Sequence, residues 1–176
     1  MLRQADAARD PRMTNSYNAS DGDDRQMQMA SLSLDAQFGP DAGLVARLYA
    51  NRLRDDRFVK FSATAAQQRR VTQEDHQGAL FAVHAHQSLA GLSIMWEAGG
   101  DVQHQDNISL RYLTADRRTL SQTRDQNFTL TIGGVYAQAM LAPAPWLQLT
   151  PAYRVDWVGG QFRNRLTNIS APINDY

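Results

Sequence analysis

The side chains of this sequence with the clearest chemical potential occur in pairs two residues apart. His84 and His86 form one pair, and Arg154 and Asp156 form another. Neutral imidazoles bind zinc, copper or iron, but the sequence places no third ligand beside these histidines. We therefore predict no metal site and no cofactor. Arg154 and Asp156 would lie on the same side of a strand, where an ion pair between them is expected.

Motifs that support catalysis are missing from the sequence. It has no GxSxG nucleophile elbow, no glycine-rich phosphate loop and no HExxH metal motif. We predict that the chain has no catalytic residues and is not an enzyme. Arginines in polar segments could attract an anionic ligand, but ordinary solvated charge is the simpler interpretation. These arginines are Arg69, Arg70, Arg117 and Arg118.

Composition excludes several classes of partner and fold. The 176 residues carry 18 basic and 18 acidic side chains, and this balance disfavours nucleic acid as a partner. There is no cysteine for disulfides or a thiolate zinc site. No apolar run reaches the roughly 18 residues of a membrane helix, although strands of a membrane barrel need only about 9–11 alternating residues. The first residues, MLRQADAARDPRMTNSY, lack the apolar core of a signal peptide.

Residues 128–157 alternate between apolar and polar side chains. In the first arm Val135 and Ala137 are apolar, whereas Tyr136 and Gln138 are polar. The second arm, after a turn with two prolines, repeats the alternation. Successive side chains of a strand point to opposite faces. This stretch therefore predicts a β-hairpin with one face for hydrocarbon and one face that carries charge.

The same alternation recurs along most of the chain. It predicts an all-β fold, an antiparallel up-and-down meander of about six strands that forms an open, curved segment of a transmembrane β-barrel. Short turns alternate with long polar ones, and residues 103–127 are expected to form such a polar loop. We assign residues 1–25 to a polar or disordered lead-in, residues 26–162 to the partial barrel, and residues 163–176 to a loop or tail.

Strand parity predicts which residues face the two sides. The candidates for a barrel lumen are the polar set Asp35, Arg47, Tyr49, Glu97, Tyr136, Gln138, Arg154 and Asp156. The candidates for contact with lipid are the apolar set Leu32, Leu34, Leu48, Ile94, Trp96, Val135, Ala137, Val155 and Trp157. Tryptophan is enriched at membrane interfaces, which fits its presence in the apolar set.

The central hairpin resembles the barrel of TonB-dependent receptors. Residues 134–138 (GVYAQ), a proline turn, and then 147–150 (LQLT) and 153–156 (YRVD) resemble the family's GxYAQDxW strand, turn and LTLxxGLRYD strand. Here 139–141 (AML) replaces the acidic and tryptophan positions. Segments 55–61 (DDRFVKF) and 74–79 (EDHQGA) also resemble family strands that flank an outside loop. The resemblance extends over about residues 27–162.

This resemblance implies part of an outer-membrane receptor for active uptake of a siderophore-type or similar ligand. Such barrels have about 22 strands and a plugged lumen. The implied partners are outer-membrane lipid, a plug and the remaining barrel strands that this sequence lacks, and TonB, reached only through that plug. The implied location is the outer membrane of a Gram-negative bacterium, provided that the chain is joined to a signal peptide. We expect a fragment of a receptor that transports nothing alone.

Two other hypotheses remain open from the sequence. A soluble carbohydrate- or ligand-binding β-sandwich would turn its apolar faces toward each other in a dry core. A small complete outer-membrane barrel, serving as an adhesin or pore, would close residues 26–38 onto residues 147–157. A receptor segment would instead be one open, curved sheet with its apolar side chains outside.

Overall fold

The alternating segments form strands, and each strand pairs with the next one along the chain. In the computed structural model, which describes residues 8–10, 12 and 14–174, a short 3-10 turn (Ser16–Asn18) precedes a single antiparallel sheet of eight strands. The strands are β1 (Gly22–Gln37), β2 (Ala42–Val59), β3 (Gln67–Leu89), β4 (Leu92–Ala115), β5 (Arg118–Ala144), β6 (Leu147–Leu149), β7 (Ala152–Asn164) and β8 (Ile169–Asn174). No helix among the described residues is long and apolar enough to cross a membrane.

The strands lie in the order β1-β2-β3-β4-β5-β7-β8, and the short β6 pairs with the end of β5. Across the described residues, β1 pairs only with β2 and β8 only with β7, so the sheet is open. The predicted all-β, open, up-and-down meander is confirmed. The described residues form eight strands rather than about six. Among them, the first strand does not close onto the hairpin arm, contrary to the small-barrel alternative.

The sheet has two ends, which we name by their connections. The base end carries the turns between β1 and β2, between β3 and β4, and between β5 and β6. The tip end carries the connections between β2 and β3, between β4 and β5, and between β7 and β8. The apolar alternation lies toward the base end, whereas the strand halves near the tip end are mostly polar, with scattered apolar residues such as Ile108, Leu110, Phe128 and Leu130.

The prediction of a long loop at residues 103–127 was wrong. These residues continue β4 and β5, which pair as far as Ala115 and Arg118. The two residues between the strands, Asp116 and Arg117, have φ angles of 47° and 65°, the left-handed conformation that two-residue hairpin turns require. The segment was mistaken for a loop because most of its side chains are polar, which hides the short alternation around Ile108 and Leu110.

Both predicted terminal segments also contain strand. β1 begins at Gly22, inside the predicted lead-in, while residues 1–7, 11 and 13 of that lead-in lie outside the described residues. The predicted tail, 163–176, contains the end of β7 and all of β8, apart from residues 175–176, which lie outside the described residues. β8 contains Pro172. A proline in a sequence argues against a central strand, but an edge strand tolerates it.

Register joins the apolar side chains of all long strands into one continuous surface. The pairs Leu32–Leu48 and Val135–Val155 are directly opposite each other across neighbouring strands. We call this surface the apolar face, and it carries the nine predicted residues Leu32, Leu34, Leu48, Ile94, Trp96, Val135, Ala137, Val155 and Trp157. We call the opposite surface the polar face.

No second layer covers the apolar face within the described part of the chain. Leu32 is 68% exposed, Leu48 is 55% exposed and Val155 is 44% exposed. Ala85 is the one hydrophobic side chain classed as buried among the described residues, and none of their large side chains is fully buried. A sandwich would bury these residues between two sheets. The fold therefore contradicts the soluble-sandwich alternative.

A hydrogen-bonded cluster ties the residues before β1 to the tip end. The Gln67 side chain is 4% exposed, and its Nε2 donates to Ser20 Oγ at 2.9 Å and to Asp21 Oδ1 at 3.2 Å. Its Oε1 accepts from Thr114 Oγ1 at 3.3 Å and from the Arg117 backbone N–H at 3.0 Å. This cluster, which we call the tip clasp, joins the lead-in to two hairpin tips.

Candidate functional site

The polar face gathers all eight residues that the sequence assigned to a lumen. Three of them lie on β1 and β2, and five lie on β4, β5 and β7. Cross-strand pairs connect the second group directly: Glu97 is opposite Gln138, and Tyr136 is opposite Arg154. The set is Asp35, Arg47, Tyr49, Glu97, Tyr136, Gln138, Arg154 and Asp156.

The group on β4, β5 and β7 forms a network of polar contacts. The Tyr136 hydroxyl donates to Glu97 Oε1 at 2.7 Å. The predicted pair forms, with 2.7 Å between the Arg154 guanidinium and Asp156 Oδ1. Arg154 also contacts Asp101 at 2.8 Å, a partner that only the cross-strand register reveals. Because two carboxylates compensate this guanidinium, it is poorly placed to bind an anionic ligand.

Glycines make room for this network. A Cβ at Gly99 would lie 2.9 Å from the Tyr136 ring, and one at Gly134 would overlap Asp156 and Arg154. The side chains of the network therefore lie flat across the backbone of neighbouring strands. This arrangement holds them against the wall of the sheet, and we interpret the network as structural.

The three polar residues near the β1 edge make separate contacts. Arg47 Nε donates to Ser33 Oγ at 3.1 Å, and Asp35 accepts from Gln37 at 3.3 Å. The Tyr49 ring lies directly over Gly78, its cross-strand partner. These side chains are likewise held along the sheet surface.

The two histidines share the polar face, as predicted. His86 Nε2 is 2.8 Å from Ser93 Oγ, and its Nδ1 is 3.6 Å from Asp41 Oδ1. The His84 ring lies against Gly43. The described residues contain no group of three or more potential metal ligands.

Of the four arginines considered as contacts for an anion, two donate to a carboxylate or to a backbone carbonyl. Arg69 Nε donates to Asp56 Oδ1 at 2.9 Å, and its guanidinium lies 5.7 Å from the Phe58 ring centroid. This hydrogen bond lowers the pKa of the Asp56 carboxyl and raises the pKa of Arg69. Arg117 Nε donates to the Ser20 carbonyl at 2.9 Å. Arg118 is exposed at the hairpin tip.

Arg70 belongs instead to a row that the sequence analysis missed. Register places Arg57 opposite Arg70, Arg70 opposite Arg111, and Arg111 opposite Arg124. We call these four residues the arginine row. They lie on the polar face, toward the tip end, and they come from β2, β3, β4 and β5. The four arginines are far apart in the sequence, so only the pairing of four strands brings them together.

The height of the sheet separates this row from the apolar surface. On β4 the apolar residues run from Ile94 to Val102, whereas Arg111 lies nine residues beyond Val102. Nine residues of strand rise roughly 30 Å at about 3.3 Å each. The arginine row therefore lies well beyond the apolar band, on strands that continue toward the tip.

Comparisons with known proteins agree with this architecture. The chain matches the family model described as TonB dependent receptor-like, beta-barrel over residues 3–175. None of the curated protein sequences matches the chain. Among solved structures, it resembles the ferric citrate transporter FecA in its unliganded form, with a TM-score of 0.79 and 14% identity over 98% of this chain. It also resembles the siderophore receptor PiuA from Acinetobacter baumannii, with a TM-score of 0.70 and 9% identity over 88% of this chain.

The matched structures are much longer than this chain, which covers 26% of FecA and 29% of PiuA. At these identities the likeness concerns the fold of the barrel wall.

Proposed function

The chain belongs to the TonB-dependent receptor-like β-barrel family, and from that premise we propose that it is part of the wall of an outer-membrane receptor that takes up a ferric chelate of the siderophore type. The printed names of FecA and PiuA, a ferric citrate transporter and a siderophore receptor, motivate the choice of ligand class. We expect transport rather than catalysis, as is usual for this family.

The observation that carries this proposal is the continuous apolar face across six strands, which no second layer covers within the described part of the chain. An exposed apolar surface of this extent marks an interaction with lipid or protein. On β4 the surface extends from Ile94 to Val102, about 26 Å of strand at about 3.3 Å per residue and about 19 Å along the membrane normal at a tilt of about 45°. This height fits within the apolar band of about 25 Å that outer-membrane barrels carry. We therefore assign the apolar face to lipid and the polar face to the lumen.

The strands are far longer than the band. β4 has 24 residues, roughly 79 Å of extended chain, or about 56 Å along the membrane normal at a tilt of about 45°. The base end, with its short turns, would face the periplasm, and the tip end would project outside the cell. The long polar strand halves then form the mouth of the receptor.

Both edges of the sheet require partners in a membrane. β1 and β8 are each paired on one side within the described residues, and hydrocarbon does not tolerate unpaired backbone groups. We propose that further barrel strands complete the wall, that a plug domain fills the lumen, and that TonB acts through that plug. The eight strands would then transport only as part of such an assembly.

The function is tested by iron uptake in the source bacterium. Cells with the gene deleted should take up less radioactive iron from ferric citrate or from a ferric hydroxamate than wild-type cells, and the intact gene should restore uptake. A protonophore should abolish the difference, because this transport depends on energy from the inner membrane. Equal, protonophore-insensitive uptake of both chelates by the deleted and wild-type cells would contradict the proposal.

A further inference from the structure

The arginine row is unusual because its members repel one another. Directly opposed side chains in an antiparallel pair have Cβ atoms about 4.5–5.5 Å apart, and like charges in that arrangement destabilise a sheet. Here three successive pairs join Arg57, Arg70, Arg111 and Arg124. The pKa of Arg70 is lowered by burial and by the charges of Arg111, Arg57 and Arg124. The row therefore concentrates positive charge in one place.

Carboxylates compensate only one end of the row. Asp23 is opposite Arg57, and Asp55 is one row nearer the base on the same face. Within the described residues, none of the four arginines forms an ion pair within 4.0 Å. Arg70 donates to a neutral group, Gln68 Oε1, at 3.2 Å and 3.1 Å, and its guanidinium lies 4.8 Å from the Phe61 ring centroid. The charges of Arg70, Arg111 and Arg124 are thus left without an opposite charge.

Neutral hydrogen-bonding groups lie directly beside these three arginines. The next row toward the base on the polar face places Thr72, Ser109 and Gln126 beneath them as cross-strand neighbours, and Asp55 continues this row on β2, opposite Thr72. Hydroxyl and amide groups there can donate to oxygen atoms without adding charge. On the other side of the row, the pairing of β4 and β5 shifts register immediately after Arg111. Such bulges redirect side chains and are common next to binding sites.

We propose that Arg70, Arg111 and Arg124, with Thr72, Ser109 and Gln126 beneath them, bind a small soluble ligand that carries several carboxylate or phosphate groups. Guanidinium groups bind both kinds of oxyanion through paired hydrogen bonds. This inference rests on the proposed function for its setting, a receptor mouth, and it narrows the ligand to a polyanion, such as an iron chelate formed by carboxylates. Bound anion would relieve the repulsion along the row.

The test is a calorimetric titration of the protein, purified from its outer membrane in detergent, with citrate and with inorganic pyrophosphate. Replacing both Arg70 and Arg111 with glutamine should weaken the binding of at least one anion by about tenfold for each arginine. The matched control is Arg118→Gln, which removes the same charge from the hairpin tip and should leave affinity unchanged. Arg70→Lys should give a partial loss, because lysine keeps the charge without the planar fork.

Folding of the variants provides an independent readout. Because the arginines repel one another, the double variant should unfold at the same or a higher temperature than wild type when no anion is present. A large drop in its unfolding temperature would mean that the row is structural and would overturn the proposal.

Three further results would also overturn it. These are unchanged binding of both anions by the double variant, an equal loss in Arg118→Gln, or arginine-dependent binding of purified lipopolysaccharide without binding of citrate or pyrophosphate. The titration is independent of transport. Absence of energised iron uptake by cells, together with arginine-dependent citrate binding, would refute the receptor function alone.

Discussion

At the scale of single residues, two neighbouring aspartates on β2 have opposite electrostatic environments. Asp55 and Asp56 point to opposite faces because they are successive strand residues. Burial, followed by the hydrogen bond and charge of Asp23, raises the pKa of Asp55. The hydrogen bond from Arg69 lowers the pKa of Asp56. Both lie beyond the apolar band, where water reaches them.

These shifts predict opposite effects of replacing each aspartate with asparagine at pH 7. The lowered pKa of Asp56 means that its carboxylate stabilises the fold above its unfolded pKa of about 3.9, and this stabilisation is lost as the pH falls through the lowered value. Asp56→Asn should therefore destabilise, by about 1 kcal/mol or less because the ion pair is partly exposed. The raised pKa of Asp55 means that its ionised form is unfavourable in the fold, so Asp55→Asn should stabilise.

Thermal unfolding between pH 3 and pH 8, followed by the mobility of the folded band on gels, measures both effects. The difference between the two variants should be largest near neutral pH and should shrink as the pH falls below about 3.9, because the carboxyls then become protonated. A constant difference across this range would mean that packing rather than charge distinguishes the two positions.

The candidate site was only partly predictable at this scale. The spacing of Arg154 and Asp156 predicted their ion pair correctly, because residues two apart on one strand share a face. Asp101 joins the same guanidinium from two strands away along the sheet, and a single strand holds no information about that neighbour. The arginine row was missed for the same reason: it depends on the register of four strands.

At the scale of elements, two adjacent glycines of β7 have different roles in strand pairing. A Cβ at Gly160 would overlap the backbone carbonyl of Thr129 on β5, whereas a Cβ at Gly159 would meet nothing within 4 Å. β5 and β7 therefore approach each other closely at Gly160, and the sheet needs glycine at that position only.

We expect Gly160→Ala to destabilise the fold by about 1–3 kcal/mol, the usual cost of forcing extra volume into a packed position. Gly159→Ala is the matched control and should be neutral or slightly stabilising, since it removes backbone freedom from the unfolded chain. Urea titration of the folded fraction in detergent micelles compares the two variants with wild type. Equal effects of both substitutions would refute the close approach.

The elements themselves were predictable where one face of a strand is apolar. The alternation around Val135 and Val155 identified the central hairpin, whose strands pair there. Residues 103–127 were not identified, because most of their side chains are polar, which hides the short alternation. Their turn, Asp116–Arg117, also lacks the Asn-Gly or Asp-Gly pair that usually signals a hairpin. β8 was also not predicted, because it has only six residues and one of them is a proline.

At the scale of the whole molecule, the assignment of the two faces to lipid and lumen makes a direct prediction. These 176 residues contain no cysteine, so within them a single introduced cysteine is the one site that takes a spin label. A label at Ala137→Cys should be accessible to oxygen, which dissolves in lipid, and one at Gln138→Cys should be accessible to a water-soluble nickel complex. Ala137 and Gln138 are consecutive on β5 and lie at nearly the same depth in the membrane. A difference between their accessibilities therefore reports which face each side chain is on.

The measurement is made in outer-membrane vesicles that contain the receptor. If the two accessibilities were reversed, the assignment would be wrong: the apolar face would line the lumen and the polar face would contact lipid. Similar accessibility at both positions would mean that the sheet does not separate lipid from water. Ala98→Cys, the cross-strand partner of Ala137 on β4, should repeat the result of Ala137→Cys and checks that the face is continuous.

The paired strands that reach the hairpin tips affect how a ligand is recognised. β4 and β5 remain hydrogen-bonded as far as their two-residue turn, and the tip clasp fastens that turn to Gln67 and to the lead-in. A recognition surface on such strands is preorganised, so little conformational entropy is lost when a ligand arrives. Discrimination would then depend on the fixed spacing of side chains, and a chelate with its anionic groups at a different spacing would bind weakly because the wall does not adapt to it.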